Sequence, residues 1–158
     1  SPAFLLKYTQ HKRKEGESMK IVIIDGQGGK MGKSVIEQLK KRFPGLETYA
    51  IGTNSIATSA MLKAGATYGA TGENPVIVNA QDAAIIIGPI GIVMANSLWG
   101  EITPAMATAI GISKAYKILI PVNRCNHYIV GCQNSTLSDY INMVCDEVGK
   151  EAGINENH

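Results

Sequence analysis

The sequence predicts an α/β protein of three layers, in which a doubly wound and mainly parallel β-sheet lies between two layers of helices. Three observations lead to this prediction. The chain has 158 residues, enough for one ordinary domain with one core. Residues 20–25 form a continuous run of mostly β-branched side chains, typical of a strand buried on both faces of a parallel sheet. Further runs of this kind alternate with stretches of helical periodicity, as a parallel sheet requires.

The first half of the chain contains the clearest signals. Residues 20–25 predict the first strand, and apolar side chains at helical spacing over 30–43 predict a helix that Pro44-Gly45 ends. Residues 46–51 predict a second strand, and residues 55–64 a second helix followed by a glycine.

The second half is predicted from shorter patterns. Pro104 fits the first turn of a helix, and Ser135 or Ser138 fits the cap of the last one. The predicted elements are a third strand at 76–78, a fourth at 83–87, a helix over 104–113, a fifth strand at 116–122, a possible sixth at 128–132, and a last helix to about 149.

The domain organisation is predicted from changes in composition. Residues 1–18 are polar and unpatterned, and are interpreted as a leader or tag remnant. Residues 19–150 are predicted to form a single Rossmann-like nucleotide-binding domain, and residues 151–158 a flexible tail.

Composition and charge exclude several classes of function. With 45% hydrophobic and 18% charged residues, the chain is typical of a soluble globular protein. The net charge of +2 resides in residues 1–18, which leaves no excess of basic side chains for nucleic acid. Residues 83–100 carry no charge, but glycines, one proline and two polar residues interrupt them, so no membrane span is expected. Three cysteines make no disulfide framework, which favours a reducing compartment and a cytoplasmic location.

The main functional signal is the glycine-rich turn after the first strand. A strand that turns through several glycines into a helix directs unpaired backbone N–H groups at one point, where the helix dipole also favours an anion. The spacing is a variant of the dinucleotide fingerprint, because its third glycine place falls on Met31. The residues expected to contact a nucleotide here are Gly26, Gln27, Gly28, Gly29, Lys30, Met31 and Gly32.

The stretch from Ile21 to Gly32 resembles the nicotinamide-binding start of dihydrodipicolinate reductases and prephenate dehydrogenases, where a glycine-rich turn runs into Met-Gly. This resemblance implies that the glycines of the turn form a pyrophosphate loop, with Lys30 and Met31 against the cofactor. Residues 19–149 also resemble a family of short bacterial proteins of unknown function with an N-terminal Rossmann-like pattern. That likeness implies a fold but no reaction.

Two alternatives compete with dinucleotide binding at this turn. Gly32-Lys33-Ser34 is the ending of a phosphate-binding P-loop, but Gln27 stands where that motif requires its first glycine. A P-loop-like phosphate binder is therefore the lesser alternative. The glycines could also serve only the close packing of helix and strand, with no ligand.

The choice of cofactor depends on the end of the second strand. An acidic side chain there accepts the ribose hydroxyls of NAD, whereas small polar and basic residues accommodate the 2′-phosphate of NADP. Here Thr53, Asn54 and Ser55 follow the strand, so NADP is favoured over NAD, although the three could simply cap a helix. Gly88 and Pro89, after the fourth strand, are expected to let the cofactor lie flat on the backbone.

The candidate catalytic residues follow the fifth strand. Arg124 could hold a carboxylate or phosphate, and His127 could exchange a proton near neutral pH, unless both belong to a polar hairpin. Cys125, His127 and Cys132 lack the fourth ligand of a zinc site, so no metal is expected.

The function expected from these features is that of an NAD(P)-dependent oxidoreductase whose site is completed by oligomerisation. The alternative is a non-catalytic module that senses a nucleotide. Apolar side chains between residues 94 and 110 exceed what a small domain buries, which predicts a homo-oligomer. The expected ligand is a small-molecule nucleotide, and neither nucleic acid nor a membrane is expected as a partner.

Overall fold

A computed structural model describes residues 18–121, 127–132 and 134–154. Five strands and five α-helices alternate along this part of the chain, with one 3-10 turn at Ile90–Val93. The strands are β1 (Ile21–Asp25), β2 (Thr48–Gly52), β3 (Tyr68–Thr71), β4 (Ile85–Pro89) and β5 (Tyr116–Ile120). The helices are α1 (Lys30–Arg42), α2 (Ser55–Lys63), α3 (Glu73–Asp82), α4 (Pro104–Ile112) and α5 (Leu137–Ala152).

The five strands form one parallel sheet in the order β3-β2-β1-β4-β5. β1 lies in the middle, where Ile23 is paired with Ala50 on β2 and with Ile87 on β4. The chain therefore builds outward from β1 to β3 and then crosses to the other side of β1. This is the strand order of a Rossmann-like sheet, and the predicted doubly wound α/β fold is confirmed.

The helices cover both faces of the sheet, which explains why the first four residues of β1 are all apolar. Ile21 and Ile23 pack into a core with side chains of α1 and α5. Val22 and Ile24 face the opposite way, into a second core with side chains of α3 and α4. Because successive side chains of a strand point to opposite faces, a strand between two helical layers has no solvent-facing residue.

Two predicted strands are wrong. Residues 76–78 lie inside α3, where Val76 and Ala80 are buried one turn apart and Val78 is 50% exposed. The β-branched run resembled a strand, but its burial follows the helical repeat. The third strand is instead β3, an exposed edge strand of the sequence Tyr-Gly-Ala-Thr that offers little apolar signal. Residues 128–132, predicted as a sixth strand, form irregular backbone and a turn.

The cap of the last helix also differs from the prediction. Thr136, rather than Ser135 or Ser138, is the N-cap of α5: its hydroxyl accepts a hydrogen bond from the amide of Asp139 at 3.1 Å. The carboxylate of Asp139 in turn accepts from the amide of Thr136 at 3.3 Å. This reciprocal pair is a capping box, which satisfies two amides that the helix itself cannot.

None of the helices in the described residues is long and apolar enough to cross a membrane.

The capping box gives a test of this local structure. Thr136→Ala should lower the free energy of unfolding by about 1 kcal/mol, because the amide of Asp139 loses its acceptor. Ser138→Ala, an exposed position one residue inside the helix, should change it by less than about 0.5 kcal/mol. Urea denaturation of both variants measures the difference, and equal losses would contradict the assignment of Thr136 as the cap.

Candidate functional site

The candidate site is the carboxyl edge of the sheet around the turn from β1 to α1. A backbone hydrogen bond of 2.9 Å from the amide of Gly29 to the carbonyl of Gly26 closes this turn. Gln27 and Gly29 have left-handed backbone, with φ of 51° and 71°. α1 covers one face of the sheet and the helix after β4 covers the other, so the chain leaves β1 and β4 toward opposite faces here. Ligands bind at this position in open α/β sheets. In this protein the loop after β4 lies against the turn, since Glu101 accepts a hydrogen bond from the amide of Gln27.

The carboxylate of Asp25, at the end of β1, occupies two amides of the turn. It accepts hydrogen bonds from the amide of Gly26 at 2.8 Å and from that of Gly32 at 2.7 Å. Asp25 is buried, and this burial raises the pKa of its carboxyl group, while the hydrogen bonds from Gly32 and Gly26 act in the opposite direction. The acid thereby joins the end of β1 to the first turn of α1.

A second carboxylate reaches the same turn from the loop after β4. Glu101 accepts a hydrogen bond from the amide of Gln27 at 3.1 Å, from the hydroxyl of Thr53 at 2.9 Å, and from the side-chain amide of Asn54 at 2.6 Å. Partial burial alone would raise the pKa of Glu101, but the bonds from Asn54, Thr53 and Gln27 together hold it below its usual value. Glu101 is therefore ionised at neutral pH.

Two amides of the turn remain open. Within the part of the chain that the structure describes, neither the amide of Gly28 nor that of Lys30 donates a hydrogen bond to another residue. Both residues are exposed, and Lys30 is the first residue of α1. Gly28 and Lys30, both predicted to bind the cofactor, therefore present backbone N–H groups to solvent that are free to donate a hydrogen bond.

Packing within the protein accounts for three of the four glycines. A Cβ atom at Gly26 would lie 2.6 Å from the hydroxyl of Thr53, and one at Gly29 would lie 2.7 Å from the Cα of Ala57. At Gly32 it would lie 2.5 Å from the sulfur of Met61. Gly28, by contrast, has open space where a side chain would begin. Close packing therefore explains every glycine of the turn except Gly28.

The polar residues after β2 are already engaged. Thr53 and Asn54 both donate to Glu101, and Asn54 also caps α2 by accepting from the amide of Ala57 at 2.9 Å. Ser55 is exposed as the first residue of α2. The sequence allowed Thr53, Asn54 and Ser55 either to contact a cofactor or to cap a helix. In the structure Asn54 is a helix cap. Contact between these three residues and a cofactor stays a prediction.

Gly88 and Pro89 lie at the buried end of β4. A Cβ atom at Gly88 would lie 2.5 Å from the carbonyl oxygen of Ile24 on β1. The glycine thus allows the two central strands to pack closely, and both residues are covered by protein atoms. Contact between a cofactor and this pair stays a prediction that requires the covering residues to move.

The loop over residues 94–101 has an unusual backbone. Three non-glycine residues, Asn96, Leu98 and Trp99, have φ between 55° and 64°, a region that costs side chains about 1 kcal/mol or more each. A hydrogen bond from the hydroxyl of Ser97 to the carbonyl of Gly91 helps to hold the loop. Trp99 is 93% exposed. The loop thus presents an aromatic ring to solvent and, from its last residue, a carboxylate to the turn.

Two surface cavities lie at the same edge. One, of about 640 Å³, is lined by residues 94–97 and by His127, Tyr128 and Ile129. His127 is therefore beside the loop after β4, and its role as a catalytic residue stays a prediction. The second, of about 350 Å³, lies between Met31, the end of β5 and the start of α5. Arg124 and Cys125 lie outside the described residues.

The described residues contain no cluster of three or more side chains that could hold a metal ion. Cys145 is buried in the core beside α1, and burial raises the pKa of its thiol to about 11. It is a packing residue.

Comparison with known proteins identifies the family. Residues 20–153 match the family described as Domain of unknown function (DUF3842), so the chain belongs to that family. None of the curated proteins matches the chain. A solved structure, that of a dodecameric FMN-dependent UbiX-like decarboxylase from Escherichia coli O157:H7, is similar with a TM-score of 0.50 and 14% identity, over 89% of this chain and 97% of the other. This likeness supports the α/β fold, and the expected family of unknown function is confirmed.

Sequence reasoning missed both carboxylates of the site. Asp25 is the last residue of the first strand and directly precedes the glycine turn. An acid at that position could have been predicted from the sequence to accept hydrogen bonds from the backbone amides of the turn and of α1. Glu101 gives no such signal, because it lies 48 residues from Thr53 and 74 from Gln27.

The glycines of the turn can be tested by a pair of substitutions. Gly29→Ala should lower the free energy of unfolding by about 2–4 kcal/mol, because it combines left-handed backbone with a clash against α2. Gly28→Ala should change it by less than about 0.5 kcal/mol, since its space is open. Urea denaturation measures both, and similar losses at the two positions would contradict the packing described above.

The role of Asp25 is tested in the same way. Asp25→Ala should lower the free energy of unfolding by about 2–4 kcal/mol, because it leaves two buried amides without an acceptor. Asp25→Asn should cost less, since its amide oxygen retains one acceptor. The control is Asp82→Ala, which removes an exposed partner of Lys20 and should cost at most about 1 kcal/mol. A loss at Asp25 no larger than that at Asp82 would show that the amides find other acceptors.

Proposed function

We propose that this protein binds a phosphate-bearing nucleotide at the carboxyl edge of its sheet, on the exposed side of the turn that follows β1. The observation that carries the proposal is the pair of unpartnered amides at Gly28 and Lys30, at the start of α1. Free backbone N–H groups and the positive end of a helix dipole together favour a phosphate group. The exposed ammonium group of Lys30 adds a full positive charge at the same place.

The two carboxylates restrict where such a phosphate can lie. Asp25 and Glu101 already accept from the amides of Gly26, Gln27 and Gly32. A phosphate therefore has to approach the turn from the side of Gly28, away from both acids. Of the four glycines in the turn, Gly28 is the one whose missing side chain leaves open space, which fits a position kept clear for a ligand.

The proposed class of nucleotide is based on two lines of support, the glycine turn and the similar solved structure, which point to different cofactors with a shared phosphate group. The glycine turn favours a nicotinamide dinucleotide, whereas the similar solved structure is described as FMN-dependent. Both cofactors carry a phosphate on a hydroxylated chain or sugar, and that group is what the amides of Gly28 and Lys30 would hold. The proposal therefore covers this shared chemistry, with NAD, NADP and FMN as the ligands to compare.

An oxidoreductase completed by a second subunit is the second candidate. His127 favours it, because this ionisable side chain lines a cavity at the same edge of the sheet. The apolar side chains of Trp99, Tyr128 and Val130 are each more than 85% exposed there, which suits burial against another copy of the chain. The similar decarboxylase is itself described as dodecameric. We include a homo-oligomer in the proposal on these grounds.

The proposal predicts that a nucleotide stabilises the protein. NAD, NADP, FMN and AMP are compared by thermal unfolding, and a ligand at 100 times its dissociation constant should add about 2.7 kcal/mol. Gly28→Val should abolish the effect, because a branched side chain prevents the close approach of a phosphate to the backbone.

The matched control is Gly45→Val, another exposed glycine with open space around it, on the turn between α1 and β2. This variant should respond to nucleotide as the unmodified protein does. The proposal fails if none of the four ligands stabilises the protein, or if the two valine variants respond equally.

A further inference from the structure

The carboxylate of Glu101 lies at the carboxyl end of β2, although the residue belongs to the loop after β4. Its Oε1 atom is 2.9 Å from the hydroxyl of Thr53 and 2.6 Å from the side-chain nitrogen of Asn54, the two residues that follow β2. Its Oε2 atom is 3.1 Å from the amide of Gln27, in the turn after β1. The carboxylate therefore bridges the ends of two neighbouring strands.

This position matters for the choice between nucleotides. In dinucleotide-binding sheets, an acid at the carboxyl end of the second strand accepts the ribose hydroxyls, whereas a 2′-phosphate needs polar and basic groups there. No acid follows β2 in the sequence, and for that reason NADP was favoured above. The structure supplies the acid from a distant part of the chain.

We propose that Glu101 is the acceptor for the ribose hydroxyls of the bound nucleotide and that it rejects nucleotides with a 2′-phosphate. This inference rests on the proposed nucleotide binding and names the class of ligand that the site prefers. A carboxylate offers about four acceptor positions. Among the described residues, Oε2 accepts only from Gln27, which leaves that oxygen able to accept from a ribose hydroxyl.

The charges around Glu101 support the rejection of a 2′-phosphate. The hydrogen bonds from Asn54, Thr53 and Gln27 lower the pKa of Glu101 against the effect of its partial burial, so the carboxylate is negative at neutral pH. The polar groups of Thr53 and Asn54, which could otherwise hold a 2′-phosphate, already donate to Glu101. A 2′-phosphate would therefore meet a like charge and find those donors occupied.

Two probes that differ only in the 2′-phosphate test the inference: AMP and adenosine 2′,5′-bisphosphate. Isothermal titration of the full chain should show AMP binding at least tenfold more tightly. Glu101→Gln should weaken AMP binding several-fold and reduce the difference between the probes to less than threefold, because the neutral amide no longer repels the phosphate.

Glu47→Gln is the control. It also removes one negative charge, but from an exposed residue directly before the amino end of β2, at the other edge of the sheet. This variant should keep the preference of the unmodified protein for AMP. Circular dichroism establishes that each variant is folded before titration.

Each outcome bears on a different claim. If the unmodified protein binds both probes equally, or binds FMN but neither probe, the inference is overturned and nucleotide binding stands. The first of these results does not depend on whether Glu101→Gln folds. A Glu101→Gln variant with unchanged preference would overturn the inference by showing that the carboxylate only holds the loop. Binding of no nucleotide at all would overturn the proposed function and the inference together.

Discussion

The hydrogen bonds from the amides of Gly26 and Gly32 to the carboxylate of Asp25 are the interaction on which the site depends. They tie the end of β1 to the first turn of α1 and set where the helix begins. Asp25 accepts from the amide of Gly32, the third residue of α1. The backbone amides that stay without a partner are therefore those of Lys30, the first residue of the helix, and of Gly28 before it. The geometry available to a ligand is thus decided by an internal acid, and not by the glycines alone.

Two acids beside a proposed anion site raise a question of electrostatics. Unit charges about 4 Å apart interact by about 4 kcal/mol at the effective dielectric constant of a protein surface, so two full negative charges would strongly oppose a phosphate. Burial raises the pKa of Asp25, and the charge of Glu101 raises it further. The hydrogen bonds that Gly32 and Gly26 donate to the Asp25 carboxylate act in the opposite direction and offset part of this effect. Glu101, held ionised by three donors, keeps its charge, and in the proposed complex this charge would favour a hydroxyl group over a phosphate beside it.

Local patterns were enough for most of the fold but not for the site. β1 and α1 were predictable because burial on two faces and a helical repeat both leave long signals in sequence. β3 was not, since an exposed edge strand of four residues needs few apolar side chains, and α3 was misread because Val76, Ile77 and Val78 favour strands. The partnership of Glu101 with Thr53 depends on how two loops meet at the edge of the folded sheet, and no spacing along the chain encodes it.

The same reasoning changes what a glycine-rich turn can be taken to mean. Gly26, Gly29 and Gly32 fit the expected phosphate loop by position, yet each is also required by a neighbouring atom of the protein. A glycine that packing already demands carries no information about a ligand, because it would be retained with or without one. Gly28 is exposed, has no contact to satisfy and keeps a free amide, so it is the residue whose identity packing does not explain. The functional argument from this motif therefore depends on one glycine and not on four.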